Sequence, residues 1–132
     1  MEKTLVFIKP DGVERGLVGE VLARFERRGI QLQRLELMTL SSEQVERHYQ
    51  EHIEKPFFPN LKAYILSGPI VVMVLQAENV ISIVRKMVGV TNAAEAEPGT
   101  IRGDFALTTS FNIIHASDSP ESAAREIETF FS

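Results

Sequence analysis

The stretch Ile70-Val71-Val72-Met73-Val74-Leu75 constrains the fold more than any other part of the chain. It is uninterrupted, apolar and largely β-branched, the pattern of a strand covered on both faces. Such a strand needs neighbours in a sheet and layers of helix above and below it. Leu5 to Ile8 reads as a second strand, ended by the turn residues Pro10, Asp11 and Gly12. Ile30 to Leu40 alternates in part and reads as a half-exposed strand, and Asn112 to His115 as a short one. Leu17, Val21, Leu22 and Phe25 recur at helical spacing before Gly29. Ser41-Ser42 starts a helix that reaches about His52, interrupted by Pro56-Phe57-Phe58-Pro59. A short helix is expected over Leu61 to Leu66, and another from Asn79 to Gly89. Residues 89–111 read as a long, partly ordered loop. Asp118 or Ser119 caps a last helix with Pro120 in its first turn and Ala123, Ile127, Phe130 and Phe131 as its buried stripe. This order fits an α+β or α/β sandwich, with strand order and direction left open.

The size agrees with one domain, residues 1–132: domains average roughly 150 residues, and a chain of this length buries about two-thirds of its unfolded surface. Hydrophobic content is 44% and charged content 24%, ordinary globular values that exclude global disorder. There is no Cys, which removes disulfides, thiolate metal sites and a Cys nucleophile. A net charge of -4 argues against a general nucleic-acid or membrane-surface binder. No apolar run spans a bilayer and no signal-peptide core is present, so a cytoplasmic location is expected.

Three histidines carry the candidate chemistry. His48-Tyr49-Gln50-Glu51-His52 has the H-x-x-E-H spacing of inverted zinc metallopeptidases, although a solvated helix holding two histidines explains it as well. His115 follows the apolar Phe111 to Ile114 and precedes a helix start. Glu126 borders the buried stripe of the last helix, where a carboxylate can fix an imidazole tautomer and raise its nucleophilicity. Neither G-x-x-x-x-G-K-[ST] nor G-x-G-x-x-G occurs. A protein handling phosphates without those cradles needs side-chain cations, and Lys9, Arg85 and Arg102 lie at element ends or in the long loop. Spacing alone takes these no further than an anion-site hypothesis.

Five motifs, in order along nearly the whole chain, carry a resemblance. They are Lys9-Pro10-Asp11-Gly12, Lys55-Pro56-Phe57-Phe58-Pro59, Ser67-Gly68-Pro69, Pro98-Gly99-Thr100-Ile101-Arg102-Gly103-Asp104 and Asn112-Ile113-Ile114-His115-Ala116-Ser117-Asp118-Ser119. Together they resemble nucleoside diphosphate kinase. The resemblance implies a ferredoxin-like α+β sandwich, a four-stranded antiparallel sheet covered by helices, with nucleotide bound between a helical hairpin and the long loop. It implies transfer of the γ-phosphoryl group from a nucleoside triphosphate, mainly ATP, to a nucleoside diphosphate, with Mg²⁺ on the phosphates. The route would be ping-pong through a phosphohistidine.

By the same resemblance, His115 is the nucleophile, attacking through Nδ1, with Glu126 on its other nitrogen and Ser117 supporting Glu126. Lys9 contacts the γ-phosphate and ribose, and Asn112 the 3′-hydroxyl. Arg85, Thr91 and Arg102 hold phosphates. Phe57 stacks on the base, Leu61 lines that pocket, and Tyr49 closes in near the phosphates. Asp118 holds Mg²⁺, through water. The family forms dimers that assemble into tetramers or hexamers, and needs neither nucleic acid nor membrane. These roles suit phosphoryl transfer, which requires in-line placement and compensation of charge on the phosphate oxygens. Guanidinium forks match those oxygens in pairs. Stacking reads a π-face that every base has, so broad nucleotide acceptance follows.

The match makes bystanders of His48 and His52. Ala116 and Asn60 stand where Gly is usual, and Ala93 where Pro is usual. The chain ends at Ser132 without the extension of many relatives, which leaves the assembly state open. The competing readings are a zinc peptidase and a non-catalytic ferredoxin-like module binding nucleic acid or protein. RNA-binding modules of that kind cluster aromatics on strands, and here Phe7 is the one aromatic on the strands Leu5 to Ile8 and Ile70 to Leu75.

Overall fold

A computed structural model describes residues 1–131. Its centre is an antiparallel four-stranded sheet in the order β2-β3-β1-β4. β1 (Glu2–Ile8) and β3 (Ile70–Ala77) are the inner pair, in register from Glu2↔Ala77 to Ile8↔Val71. β4 (Ile114–Ala116) pairs with the far side of β1, setting Phe7 opposite His115. β2 (Gln31–Met38) forms the other edge, with a register shift between Leu32 and Arg34.

The period-2 pattern of the inner strands explains the two layers. Val6 and Ile8 of β1, with Val71, Met73 and Leu75 of β3, pack into one core against α2 (Val18–Arg28) and α5 (Val80–Val88). Leu5, Phe7, Ile70 and Val72 point the other way. There they meet α3 (Ser42–His48), α4 (Phe58–Ile65) and α7 (Pro120–Phe131). The continuous apolar run of β3 is thus buried on both faces, and the fold is the α+β sandwich expected.

Several boundaries differ from the sequence reading. Pro10-Asp11-Gly12 is not a turn but the start of a short helix, α1 (Pro10–Glu14), with Pro at its first position, where no N–H is needed. α3 has the full capping box between Ser41 and Gln44 but ends at His48 rather than near His52, followed by a 3₁₀ turn over Gln50–His52. The long loop contains a 3₁₀ turn at Ala93–Glu95 and a helix, α6 (Ile101–Phe105), capped by Thr100 accepting from the Gly103 N–H. Five helical residues are too few to show a 3.6-residue period, so α6 was invisible to periodicity. Of the two candidate caps of α7, Ser119 acts: its Oγ accepts from the Ser122 N–H at 3.1 Å. On α7, Ala123 and Phe130 are buried as expected, while Ile127 and Phe131 are only partly buried.

The three departures fit without strain. Ala116 lies in β4, 2% exposed and without positive φ, so its Cβ sits in an ordinary strand position. Asn60 is helical, so its tolerance of positive φ is not called on. Ala93 is 4% exposed and packs into the core, which anchors the loop where Pro is absent.

Candidate active site

β4 is short, but it positions the central side chain. Ile113 precedes it at φ 75°, rare for a β-branched residue. The Ile114 N–H donates to the Asn112 carbonyl at 2.8 Å across it, closing a γ-turn. A backbone bond from the Lys9 N–H to the Ile113 carbonyl at 2.7 Å ties this turn to the end of β1. Gly12 makes the approach possible: a Cβ there would stand 2.6 Å from Ile8 Cγ2 and 2.9 Å from Ile113 Cγ2. The turn delivers Asn112 beside Lys9, whose Nζ donates to Asn112 Oδ1 at 2.6 Å.

His115 emerges one step later, stacked on Phe7 with ring centroids 4.8 Å apart. Its Nε2 is 2.9 Å from Glu126 Oε1. Ser117 Oγ donates to the same carboxylate oxygen at 2.7 Å and accepts from the Leu5 N–H at 3.3 Å. Glu126 is 4% exposed, so it lies inside the fold rather than on its border. A buried carboxylate demands partners, and His115 and Ser117 supply them. The hydrogen bond of the imidazole through Nε2 leaves Nδ1 unbonded among the described residues.

Cations line the same cleft as the ring. Arg102 is 4% exposed and is held by the Gly89 carbonyl at 2.9 Å and the Ile114 carbonyl at 2.7 Å. Its Nε is buried without a partner. Burial and the neighbouring Arg85 push its pKa down to about 10, which still leaves a cation at neutral pH. Arg85 donates to the Ala116 carbonyl at 3.1 Å. Burial, with help from the Arg102 charge, lowers the Lys9 ammonium to about 8, against the opposing pull of Asp11. Three cations held this close without a full set of carboxylate partners make a site that gains from an anion. The Tyr49 hydroxyl is pushed upward, first by burial and then by Glu126.

These groups face one cleft of about 870 Å³. Lys9, Tyr49, Phe57, Leu61, Arg85, Thr91, Arg102, Asn112, His115, Asp118 and Glu126 all line it, so the structure brings together every site residue singled out from sequence except Ser117. Ser117 stands behind Glu126, fully buried. Phe57 is 49% exposed at the rim, an apolar face open to solvent. Asp118 is exposed and forms no ion pair among the described residues.

The sequence reading missed several lining residues. His48 and His52, read as bystanders, both line the cleft, and His48 is 6% exposed against His115. Tyr64 bonds Asp11 and meets the edge of Phe111, and both aromatics line the cleft. No local signal identified them, because each gains its place from a distant element. The zinc-peptidase spacing fails on geometry: α3 ends at His48, so His48 and His52 are not paired on one helix face. Among the described residues, the cluster with metal-ligating spacing is His48, His115 and Glu126, and it omits Glu51 and His52.

Comparison with known proteins agrees with this geometry. The family model for nucleoside diphosphate kinase matches residues 2–132. A nucleoside diphosphate kinase of Thermus thermophilus is 60% identical over 131 residues, covering 99% of this chain and 96% of that protein. One from Archaeoglobus fulgidus is 57% identical over 132 residues, covering 100% of this chain and 87% of that protein. The solved structure of a halophilic nucleoside diphosphate kinase from Halobacterium salinarum, in complex with CDP, superposes with a TM-score of 0.97 at 41% identity. It covers 99% of this chain and 88% of that one. With a family match over nearly the whole length, and a cleft that brings the His115 imidazole together with Lys9, Arg85 and Arg102, the chain belongs to the nucleoside diphosphate kinase family and is a phosphotransferase acting on nucleotides.

Proposed function

We propose that the enzyme moves the γ-phosphoryl group of a nucleoside triphosphate, mainly ATP, to a nucleoside diphosphate by a ping-pong route through phosphohistidine at His115. The observation that carries this reading is the His115 Nε2 to Glu126 contact of 2.9 Å inside the cation-lined cleft. In the first half-reaction the Nδ1 lone pair attacks the γ-phosphorus. The bond to the β–γ bridging oxygen breaks, and the diphosphate leaves. Positive charge grows on the ring, and Glu126 receives it through Nε2–H. In the second half-reaction a terminal oxygen of the acceptor diphosphate attacks phosphorus. The P–N bond breaks and its electron pair returns to Nδ1.

Lys9, Arg85, Arg102 and Thr91 hold the phosphate oxygens in this reading, and Asn112 and Lys9 take the ribose hydroxyl. Phe57 stacks on the base against Leu61, and Tyr49 packs near the phosphates. Asp118, an exposed and unpaired hard-oxygen donor in the cleft, suits Mg²⁺, which binds through one or two carboxylates plus phosphates and keeps its waters. When bound, the ion compensates charge on the phosphates.

Residues 1–132 act as one such domain. The location proposed is cytoplasmic; no described helix is long and apolar enough to cross a membrane. The sheet edge β2 leaves Leu35 43% and Leu37 67% exposed, which supports assembly of dimers into a tetramer or hexamer. The function is tested by incubating the protein with γ-labelled ATP and Mg²⁺ without acceptor. The expected label is acid-labile and base-stable, leaves on addition of a nucleoside diphosphate, and is absent in His115→Ala. A folded, ATP-binding protein that takes no label refutes the reading.

A further inference from the structure

Outside the residues given roles above, His48 is the side chain most closely engaged with the reacting ring. It closes α3 and is 6% exposed. Its ring centroid lies 4.6 Å from that of His115, with the planes at 86°. It lies 5.4 Å from Phe7 at 70°, while Phe7 and His115 stack at 26°. The three centroids therefore form a nearly equilateral triangle, with His48 standing edge-on across the Phe7–His115 pair. Phe130 of α7 backs His48 at 5.3 Å, and Tyr49 meets it at 4.4 Å. His48 Nδ1 is buried with no hydrogen-bond partner, so aromatic packing holds much of the ring in place. Burial and the surrounding His115, Arg125, Lys9 and His52 keep its pKa well below the ordinary value, so it stands there uncharged.

The torsion that orients an imidazole is broad and roughly two-fold, so packing must choose between edge-flipped orientations. The bond of Nε2 to the Glu126 carboxylate, a bond to a charged group, biases that choice by roughly 10- to 150-fold, but a single bond still leaves the ring free to tilt about it. We propose that His48 is a positioning residue: its edge-on contact, together with the Phe7 stack, fixes the His115 ring plane so that Nε2 stays on Glu126 and Nδ1 alone meets the phosphoryl group. This inference rests on the reading of His115 as the phosphorylated residue.

The test compares wild type, His48→Ala and His48→Phe. His48→Ala opens space beside the ring, and His48→Phe restores a flat apolar wall. In single-turnover experiments at saturating ATP, phosphoenzyme formation in His48→Ala is expected to fall about 10- to 100-fold, because a tilted ring takes Nδ1 out of its attacking position even where the Glu126 bond keeps it from flipping, with the KM for ATP within about twofold. ³¹P NMR of the phosphoenzyme is expected to show some Nε2-phosphohistidine beside the Nδ1 isomer. His48→Phe is expected to recover most of the rate and the single isomer. A folded His48→Ala with wild-type rate and one isomer overturns the proposal, as does a loss carried wholly by KM.

The wild type also gives a reading that no variant's folding can obscure. The ¹⁵N spectrum of unphosphorylated His115 is expected to show one tautomer with Nε2–H, and a tautomeric mixture overturns the proposal. Wild type that forms neither phosphohistidine isomer while keeping one tautomer refutes the phosphoryl-transfer route and leaves the positioning intact.

Discussion

Replacing Glu126 by Gln tests the link between the buried carboxylate and phosphoryl transfer. The substitution keeps the shape of the side chain, removes its charge and turns Oε2, 4.0 Å from the Arg125 guanidinium, into an NH2 donor. In the resting enzyme the carboxylate accepts from His115 at 2.9 Å and from Ser117 at 2.7 Å, bonds that an amide oxygen also accepts. The difference appears as positive charge grows on the ring. At 2.9 Å a unit pair interacts by about 6 kcal/mol with an effective dielectric of 20, an upper bound. The lower bound comes from hydrogen bonding: bonds to charged groups are worth roughly 1.5–3 kcal/mol and neutral ones roughly 0.5–1.5, a difference of about 1–2. The His115 side chain is 22% exposed, so solvent screens the Coulomb term, and the smaller figure governs. It corresponds to a fall of about 5- to 30-fold. Quenched-flow measurement of phosphoenzyme formation at saturating ATP reads it directly, and urea unfolding of the same sample checks the fold. A folded Glu126→Gln that is phosphorylated within about twofold of the wild-type rate refutes the idea that Glu126 stabilises developing charge.

Further outcomes follow from the same geometry. With the Lys9 pKa lowered to about 8 in the folded protein and ordinarily 10.5, the ammonium is lost as pH rises through 8. ATP affinity, read by calorimetry, is therefore expected to fall between pH 7 and 9. Stability of the nucleotide-free protein is expected to rise from pH 8 toward 10.5, because the unfolded chain binds the extra proton across that window. Phe57→Ala removes a half-exposed ring without opening a core, so the melting temperature is expected to hold. Nucleotide Kd should rise by about 5- to 150-fold, equally for purines and pyrimidines, the equivalent of about 1–3 kcal/mol per stacked base. In Gly103→Ala the new Cβ would stand 2.0 Å from the Glu97 carbonyl oxygen, so backbone has to move. A loss of about 1–3 kcal/mol in chemical denaturation is expected, with weaker ATP binding because the neighbouring Arg102 moves too.

What could be read in the sequence depended on whether the cause was local. β3 was legible because both its faces meet core, so the run Ile70 to Leu75 needed no period. Ser41 and Gln44 announced α3, since a capping box lies within four residues. Pro10, Asp11 and Gly12 misled, because residues that favour turns also suit the first turn of a helix, and the demand on Gly12 comes from Ile113, far away in sequence. The burial of Glu126 and of His48 was hidden for the same reason: each is set by the docking of α7 or α3 on β1. His115, Glu126, Lys9, Arg85 and Arg102 stood out from local context, while the other site residues and every role came through the motif resemblance, which carries non-local information that periodicity lacks.

The same contrast explains why the cleft is built on the least regular part of the sheet. β4 has three residues and is entered through a γ-turn whose central Ile113 sits at φ 75°. That conformation costs on the order of 1–3 kcal/mol. The surroundings fix it: Lys9 N–H holds the Ile113 carbonyl, Gly12 leaves room for its side chain, and Ile113 itself is fully buried. A regular strand would continue the register past Ile8↔Ile114 and set Asn112 opposite Pro10, beyond the end of β1, rather than back beside Lys9. Lys9 and Arg102 are both buried cations, disfavoured by desolvation. Strain in the backbone and charge held out of water therefore meet at the turn that leads into His115, where Lys9 bonds Asn112 and Arg102 bonds the Ile114 carbonyl. A bound polyphosphate relieves the second and leaves the first in place, so nucleotide binding should raise the melting temperature more strongly as its negative charge increases, from nucleoside to mono-, di- and triphosphate.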